Sequence, residues 1–388
     1  MERFIHLAVI ISMWFSVNAI GDERIKFDVR INNHLVCLVL DTGAEGPILF
    51  RKTAERLRLD VKEPSKDFQP VPGKVKIGIS EECRVEFGEV TWYLHFGIVD
   101  LPSYIQSEID GVIGWGVISQ NILEIHPASK KIKIHNALNI DTSQWLCLNI
   151  RKDLNLLVVQ VPKKGRKHGS ILIDTGSPAG VSLNMERWQS WIDKQSDQDS
   201  TLSALFYPGK GLLLIEETWA KKLTIGGLTF TEVPVRKGVE AGEGVVDEGL
   251  DAILGLNALS CFSWIVDGAT GKIYIKPNDS TRIPENYDYN RLGAVFVPHD
   301  IRKSNALIAH VVDPGPAYSA GIRDGDVLLK IDDLDVTGWR TDPSVMPLSR
   351  FWEQPAGTKL NLVLMRNGKK QEVIATLQEI FKGLRDSI

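Results

Sequence analysis

Two aspartates carry most of the chemistry available to this sequence. Asp41 ends the apolar run Leu38-Val39-Leu40 and opens Asp41-Thr42-Gly43-Ala44. Asp174 ends Ile171-Leu172-Ile173 and opens Asp174-Thr175-Gly176-Ser177. An acid at the tip of a buried strand resists ionisation, because desolvation opposes its charged form. Two such acids in similar halves imply that the halves meet and bring the carboxyls together. Carboxyls a few ångströms apart do not both ionise readily and so share one proton. That pair suits amide hydrolysis by an activated water, with no covalent intermediate. The ionised member accepts a proton from the water, and the protonated member donates a hydrogen bond to the scissile carbonyl. A proton then reaches the leaving nitrogen. The titration belongs to the pair, and either member can be the base.

A single Asp-Thr-Gly is often an ordinary strand-end turn. Here the repeat extends further. Asp110-Gly111-Val112-Ile113-Gly114 and Asp251-Ala252-Ile253-Leu254-Gly255 share the order Asp, small, aliphatic, aliphatic, Gly, 141 positions apart. At that offset Lys131-Ile132-Lys133-Ile134 falls on Lys272-Ile273-Tyr274-Ile275, and Ile125 falls on Val266. The two Asp-Thr-Gly aspartates are 133 apart, so the second half carries about eight extra residues between its motifs.

With these paired motifs the sequence resembles the aspartic protease superfamily of pepsins and retropepsins over roughly residues 24 to 277. The resemblance implies a mainly β, bilobal pseudo-dimer in one chain, with lobe 1 over 24–136 and lobe 2 over 147–277. It implies Asp41 and Asp174 as catalytic, with Thr42, Gly43, Thr175, Gly176 and Ser177 supporting them. Each threonine would hydrogen-bond across to the opposite lobe, and each glycine would allow a tight turn whose amide faces a carboxylate. Ile113, Gly114, Leu254 and Gly255 would form the crossed-over loops beneath the turns. Asp110 and Asp251 are expected to cap those loops. Ser177 can donate to a neighbouring carboxylate whereas Ala44 cannot, so a pH optimum nearer neutral than that of acidic pepsins is expected.

The binding groove should lie between the lobes under a hairpin. Pro70-Val71-Pro72-Gly73-Lys74 is the candidate in the first lobe. Leu205 to Gly211 is the candidate in the second, with a further hairpin at Leu223 to Leu228. Trp92, Trp188, Trp191 and Trp219 are candidate subsite walls, with a packed aromatic core the stronger reading of each.

The remaining composition excludes more than it assigns. The chain has 388 residues and a net charge of −4, with no long charged block to suggest nucleic acid. The basic run Lys163-Lys164-Gly165-Arg166-Lys167 reads as a hairpin tip. Cys37, Cys83, Cys147 and Cys261 are too sparse for a disulfide framework; buried free thiols account for Cys37 and Cys261, while export would permit a bridge. No His or Cys pair has zinc-like spacing, so no metal and no cofactor is expected. There is no G-x-S-x-G elbow, no H-E-x-x-H and no phosphate loop. Residues 4–17 are almost wholly apolar and Val17-Asn18-Ala19 suits signal-peptidase cleavage. This implies a signal peptide over 1–19 and an exported protein, periplasmic or extracellular, with an uncleaved membrane anchor as the competing reading.

The C-terminal part is a separate module. A polar linker covers 278–289. Asp313-Pro314-Gly315-Pro316-Ala317 leads through Ala320-Gly321 into Asp324-Gly325-Asp326 and the alternating run Val327-Leu328-Leu329-Lys330-Ile331. Over 290–380 this strongly resembles the PDZ family, a small α/β domain that adds a peptide to a sheet edge and holds its terminal carboxylate on loop amides. The matching loop is Leu292-Gly293-Ala294-Val295, preceded by Arg291, and Pro347 interrupts the region expected to supply the groove helix. The partners implied are a peptide or protein substrate and a C-terminal peptide ligand. The expectation is an aspartic endopeptidase whose PDZ module recruits substrate or regulates access. The alternative is a non-catalytic peptide-binding scaffold acting through that module.

Overall fold

The fold was analysed in a computed structural model that describes residues 15–16, 24–64, 77–101, 108–135, 137–138, 140–163, 166–195, 199–207, 211–238, 250–278, 287–298 and 304–381. The first-lobe candidate Pro70 to Lys74 therefore lies outside the described residues, as do nearly all of the apolar N-terminus and most of the linker.

The chain is mainly β, with a barrel-like N-terminal body and a smaller C-terminal module. The first lobe is a seven-stranded sheet in the order Lys26–Ile31, His34–Asp41, Gly111–Gly114, Ile48–Phe50, Val90–Val99, Gly78–Phe87, Val61–Lys62. Pairing of Lys26–Ile31 with Gly78–Phe87 closes it. Closure removes sheet edges, which suits a lobe of modest size. The strand His34–Asp41 is buried on both faces: Leu38 and Leu40 enter the main core, and Val39 enters a second cluster. A strand covered on both sides reads as a continuous apolar run, which is why the residues before Asp41 do not alternate.

The second lobe repeats this plan. Arg166–Ile173 pairs in parallel with Ala252–Leu254, as His34–Asp41 does with Gly111–Gly114. In each lobe a short strand runs antiparallel to that element: Ile48–Phe50 in the first and Val181–Leu183 in the second. The two lobes are joined by hydrogen bonds along Ile122–His126 and Phe262–Asp267, where Glu124 lies opposite Ile265. Those residues are 141 positions apart, the offset that also relates Asp110 to Asp251. An antiparallel pair centred on equivalent residues is what a two-fold axis through the seam requires.

The C-terminal module is a sheet in the order Ala294–Pro298, Leu307–Val311, Val327–Ile331, Lys359–Arg366, Lys369–Thr376, with Leu334–Asp335 paired to Val327–Ile331. Two short helices, Pro316–Ser319 and Ser349–Trp352, complete it. Pro347 stands just before the second helix, which is only four residues long. Apolar residues of the first lobe, Val39, Ile48 and Val112, belong to the same buried cluster as the module's core. Trp219 of the second lobe packs against Tyr287 and Phe381.

Trp264 lies at the seam, 2% exposed, with its Nε1 donating to Leu259 O at 2.8 Å and its ring edge-on to Phe262. Trp264→Ala should lower unfolding free energy by about 3–5 kcal/mol, through a cavity and the orphaned Leu259 carbonyl. Urea denaturation followed by far-UV circular dichroism measures this.

Candidate active site

The two Asp-Thr-Gly turns meet through an exchange of threonine hydroxyls. Thr42 Oγ1 donates to Ile173 O at 2.6 Å and accepts the Thr175 amide at 3.1 Å. Thr175 Oγ1 donates to Leu40 O at 2.8 Å and accepts the Thr42 amide at 3.1 Å. Both threonines are fully buried. Two amides and two carbonyls at the ends of buried strands thus find partners in the other lobe, and such groups are costly to leave unpaired.

This exchange brings the carboxyls together. Asp41 is 2% exposed and Asp174 is fully buried. Each accepts the amide two residues on at 3.0 Å, Gly43 N to Asp41 Oδ1 and Gly176 N to Asp174 Oδ1. A side chain at Gly176 would begin 2.3 Å from Asp41 Cγ, so the second turn lies directly on the first lobe's carboxyl. Burial pushes Asp41 up to about 6, opposed by the positive charge of Arg24 and the amides of Gly43 and Ala44. Burial, reinforced by the negative charge of Asp41, holds Asp174 well above the usual carboxyl range. A side-chain hydrogen bond between the two carboxyls favours the ionised form of Asp41 and opposes that of Asp174.

The asymmetry has a different origin from the one expected of Ser177. Its hydroxyl accepts the Ala179 amide at 3.3 Å, and it is the backbone amide at 177 that favours the ionised form of Asp174. Both acids are held above the ordinary carboxyl range, the one beside serine included. Burial raises both acids alike, and what differs between them is the Arg24 charge favouring ionised Asp41 and the Asp41 charge opposing ionisation of Asp174.

Beneath the turns the aliphatic-Gly elements make the crossed-over loops. Gly114 lies opposite Asp41 and Ile113 opposite Leu40; Leu254 lies opposite Ile173. A Cβ at Gly114 would fall 2.6 Å from Ala44 O, and one at Gly255 2.4 Å from Ala179 O, so the loops pack backbone to backbone. Asp110 and Asp251 are kept from the dyad and tie each loop down. Asp110 accepts the Cys37 amide at 2.9 Å, Thr53 Oγ1 at 2.9 Å and Arg56 Nη2 at 2.5 Å. Asp251 accepts the Ser170 amide at 3.2 Å and Arg187 Nε at 3.0 Å. Sequence reasoning missed Thr53, Arg56 and Arg187. An arginine on the helix 15 residues after Asp41 and 13 after Asp174 was the available signal.

The aspartyl protease family model matches residues 27–117, and the PDZ domain model matches residues 290–377. The chain carries an aspartyl protease domain and a PDZ domain. Among solved structures it is similar to the EIAV protease complexed with the inhibitor HBY-793, at 17% identity and a TM-score of 0.21, covering 26% of this chain and 90% of that one. No curated protein matches it.

The four tryptophans considered as subsite walls are packing residues. Trp188 is 3% exposed in the core, with Trp92 and Trp191 packed against that core. Trp219 is buried, and its Nε1 donates to Glu232 at 2.7 Å. In the second lobe Ser200–Tyr207 and Gly211–Ile225 form a long hairpin, and Leu223 to Leu228 closes a second one on Leu228–Lys237. The basic run joins Val158–Lys163 to Arg166–Ile173 as a hairpin, with Lys163 opposite Arg166. All four cysteines are free thiols: Cys83 and Cys261 are buried, but Cys37 is half-buried and Cys147 exposed, so burial does not explain every one. In the PDZ domain, the amides of Leu292 and Gly293 donate to Asn290 Oδ1 at 2.9 and 3.2 Å, so the loop expected to capture a carboxylate is filled from within. Ala294 and Val295 belong to the edge strand Ala294–Pro298.

Raised carboxyl pKa values mean that the folded chain binds more protons than the unfolded one above the ordinary carboxyl range. Stability therefore falls as pH rises from about 4 through the folded pKa values. Asp174→Asn removes the burden of ionising the pair. Its melting temperature should exceed that of the wild type at about pH 8, with the gap closing toward about pH 4. Differential scanning calorimetry across that range measures it.

Proposed function

We propose that the chain is an aspartic endopeptidase in which Asp41 and Asp174 activate one water between them. The observation that carries this reading is the reciprocal threonine exchange, which holds two buried carboxyls from separate lobes at one place. The aspartyl protease domain supports the reaction class, and peptides or proteins are its substrate class.

The unequal surroundings of the pair suggest the roles. Asp41, whose charged form the nearby Arg24 favours, is the base that takes a proton from water. Asp174 keeps its proton and donates a hydrogen bond to the scissile carbonyl, stabilising charge that develops on that oxygen. Water adds to the carbonyl carbon as its proton passes to Asp41. The tetrahedral intermediate then collapses as a proton is delivered to the nitrogen, and the C–N bond breaks. Thr42 and Thr175 hold the geometry, while Gly43 and Gly176 keep the approach open and direct amides at the carboxyls. The PDZ domain would recruit substrate or regulate access. Residues 1–19 would act as an export signal; intact-mass measurement of protein recovered outside the cytoplasm should show a chain beginning at Ile20.

Cleavage of a mixed peptide library is the direct test. Asp41→Asn and Asp174→Asn should each lower turnover by about 10²–10⁴-fold. Cleavage persisting in both would overturn the assignment. The singly ionised pair exists only once Asp41 has lost its proton, so kcat/KM should rise with pH through an apparent pKa of about 6. It should fall again where Asp174 ionises. A maximum below about pH 3.5, where ordinary carboxyls are largely protonated, contradicts the proposal.

A further inference from the structure

The PDZ domain and the second lobe share one side chain. Asn290 is 4% exposed, and its side-chain oxygen, side-chain nitrogen and backbone carbonyl are all hydrogen-bonded. Its Oδ1 accepts two consecutive amides, Leu292 N and Gly293 N. Its Nδ2 donates to Leu202 O at 2.7 Å and to Ala294 O at 2.8 Å, and its carbonyl accepts Thr201 Oγ1 at 2.7 Å. Thr201 is fully buried. Leu202 and Thr201 belong to Ser200–Tyr207, the first strand of the second lobe's long hairpin.

Two successive amides converging on one oxygen make a small anion-binding nest, the arrangement that captures a peptide carboxylate. Here an uncharged amide oxygen stands in that place. A carboxylate would make charge-assisted hydrogen bonds there, about twice as strong as the neutral ones it displaces. The strand beside the nest, Ala294–Pro298, is the edge of its sheet, and Ser200–Tyr207 packs against it. The narrow space between them, about 40 Å³, is lined by Ser203, Leu205 and Glu217 of the second lobe and by Phe296, Leu348 and Trp352 of the PDZ domain. A peptide laid along that edge strand would occupy the space of the hairpin.

We propose that Asn290 is a clasp: it keeps the PDZ loop filled and the second lobe's hairpin attached, and a peptide with a free C-terminal carboxylate and an apolar last side chain opens it by displacing the Asn290 amide. Peptide binding to the PDZ domain and docking of the hairpin are then mutually exclusive. This inference rests on the PDZ domain and the second-lobe contacts. Neither readout below needs turnover, so it stands or falls separately from the peptidase reading.

The test uses the full chain carrying Asp41→Asn, so that the probes remain intact. The probe is a fluorescent decapeptide library ending in Leu, Val, Ile or Phe, as free acid and as C-terminal amide. Binding is read by anisotropy, and amide hydrogen exchange is read over residues 200–207. Asn290→Ala empties the nest and frees the hairpin. It should bind the free acids about tenfold more tightly, with no gain for the amides, and exchange faster over 200–207. Thr201→Val leaves the loop intact but weakens the hairpin contact, and should shift both readouts in the same direction to a smaller extent. Asn290→Asp keeps an oxygen in the nest but loses the two donors, so exchange over 200–207 should rise with no gain in affinity. Saturating free-acid peptide should itself raise that exchange in the parent chain. The clasp is disproved by any of three results: unchanged free-acid affinity in Asn290→Ala, equal gains for acid and amide probes, or peptide binding that leaves exchange over 200–207 unaltered.

Discussion

Thr42 and Thr175 each close the other's strand end, and the rest of the site follows from that exchange. A buried strand must stop somewhere, and its last amide and carbonyl then need partners that neither water nor the next strand supplies. In this chain the partners come from the opposite lobe, through hydroxyls that donate and accept at once. Parting the lobes by an ångström or two would leave four backbone groups and two hydroxyls unsatisfied in a low-dielectric interior. The arrangement is therefore stiff where the carboxyls need it to be. It also keeps Asp41 and Asp174 dry, and dryness is the main cause of their raised pKa values.

Near-symmetry sets up the pair, and departures from symmetry give its two members different surroundings. Two identical halves would give carboxyls with interchangeable roles. Here Arg24 favours the charged form of Asp41, while the negative charge of Asp41 raises Asp174 further. The supporting loops vary in the same way. Asp110 holds the Cys37 amide, Thr53 and Arg56, and the partners of Asp251 include the Ser170 amide and Arg187. The C-terminal module adds the largest departure. It contacts both lobes without a counterpart, sharing a buried cluster with the first and the Asn290 and Trp219 contacts with the second.

Much of this was legible in the chain because motifs with fixed backbone geometry recur at fixed spacing. Asp-Thr-Gly and the aliphatic-Gly elements mark where strands end and loops cross, and the 141-residue offset also places Glu124 opposite Ile265 at the seam. A PDZ strand was readable from the alternation of Val327 to Ile331, and the turn between the last two strands falls on Asn367 and Gly368, residues that suit its positive φ values. Other features were not readable. Arg56 and Arg187 lie on helices whose only sequence mark is an arginine among several. Ser177 was expected to act through its hydroxyl, but the turn directs that hydroxyl to Ala179 N. Pro347 suggested a broken groove helix, and the chain resolves it by starting a short helix two residues later.

By itself, the sequence determined that two acids sit at the ends of buried strands in related halves, and that a PDZ-like module follows them. Strand ends, turns and hydrophobic periodicity are local properties, governed by residues a few positions apart. Only the tertiary structure decided that Arg24 faces one acid of the pair, which arginines anchor the loops, and that Asn290 fills the PDZ loop while hydrogen-bonding to the second lobe. Those outcomes depend on burial, on charge, and on hydrogen-bond partners brought together from distant parts of the chain, Leu202 and Asn290 among them, and no local pattern encodes such neighbours.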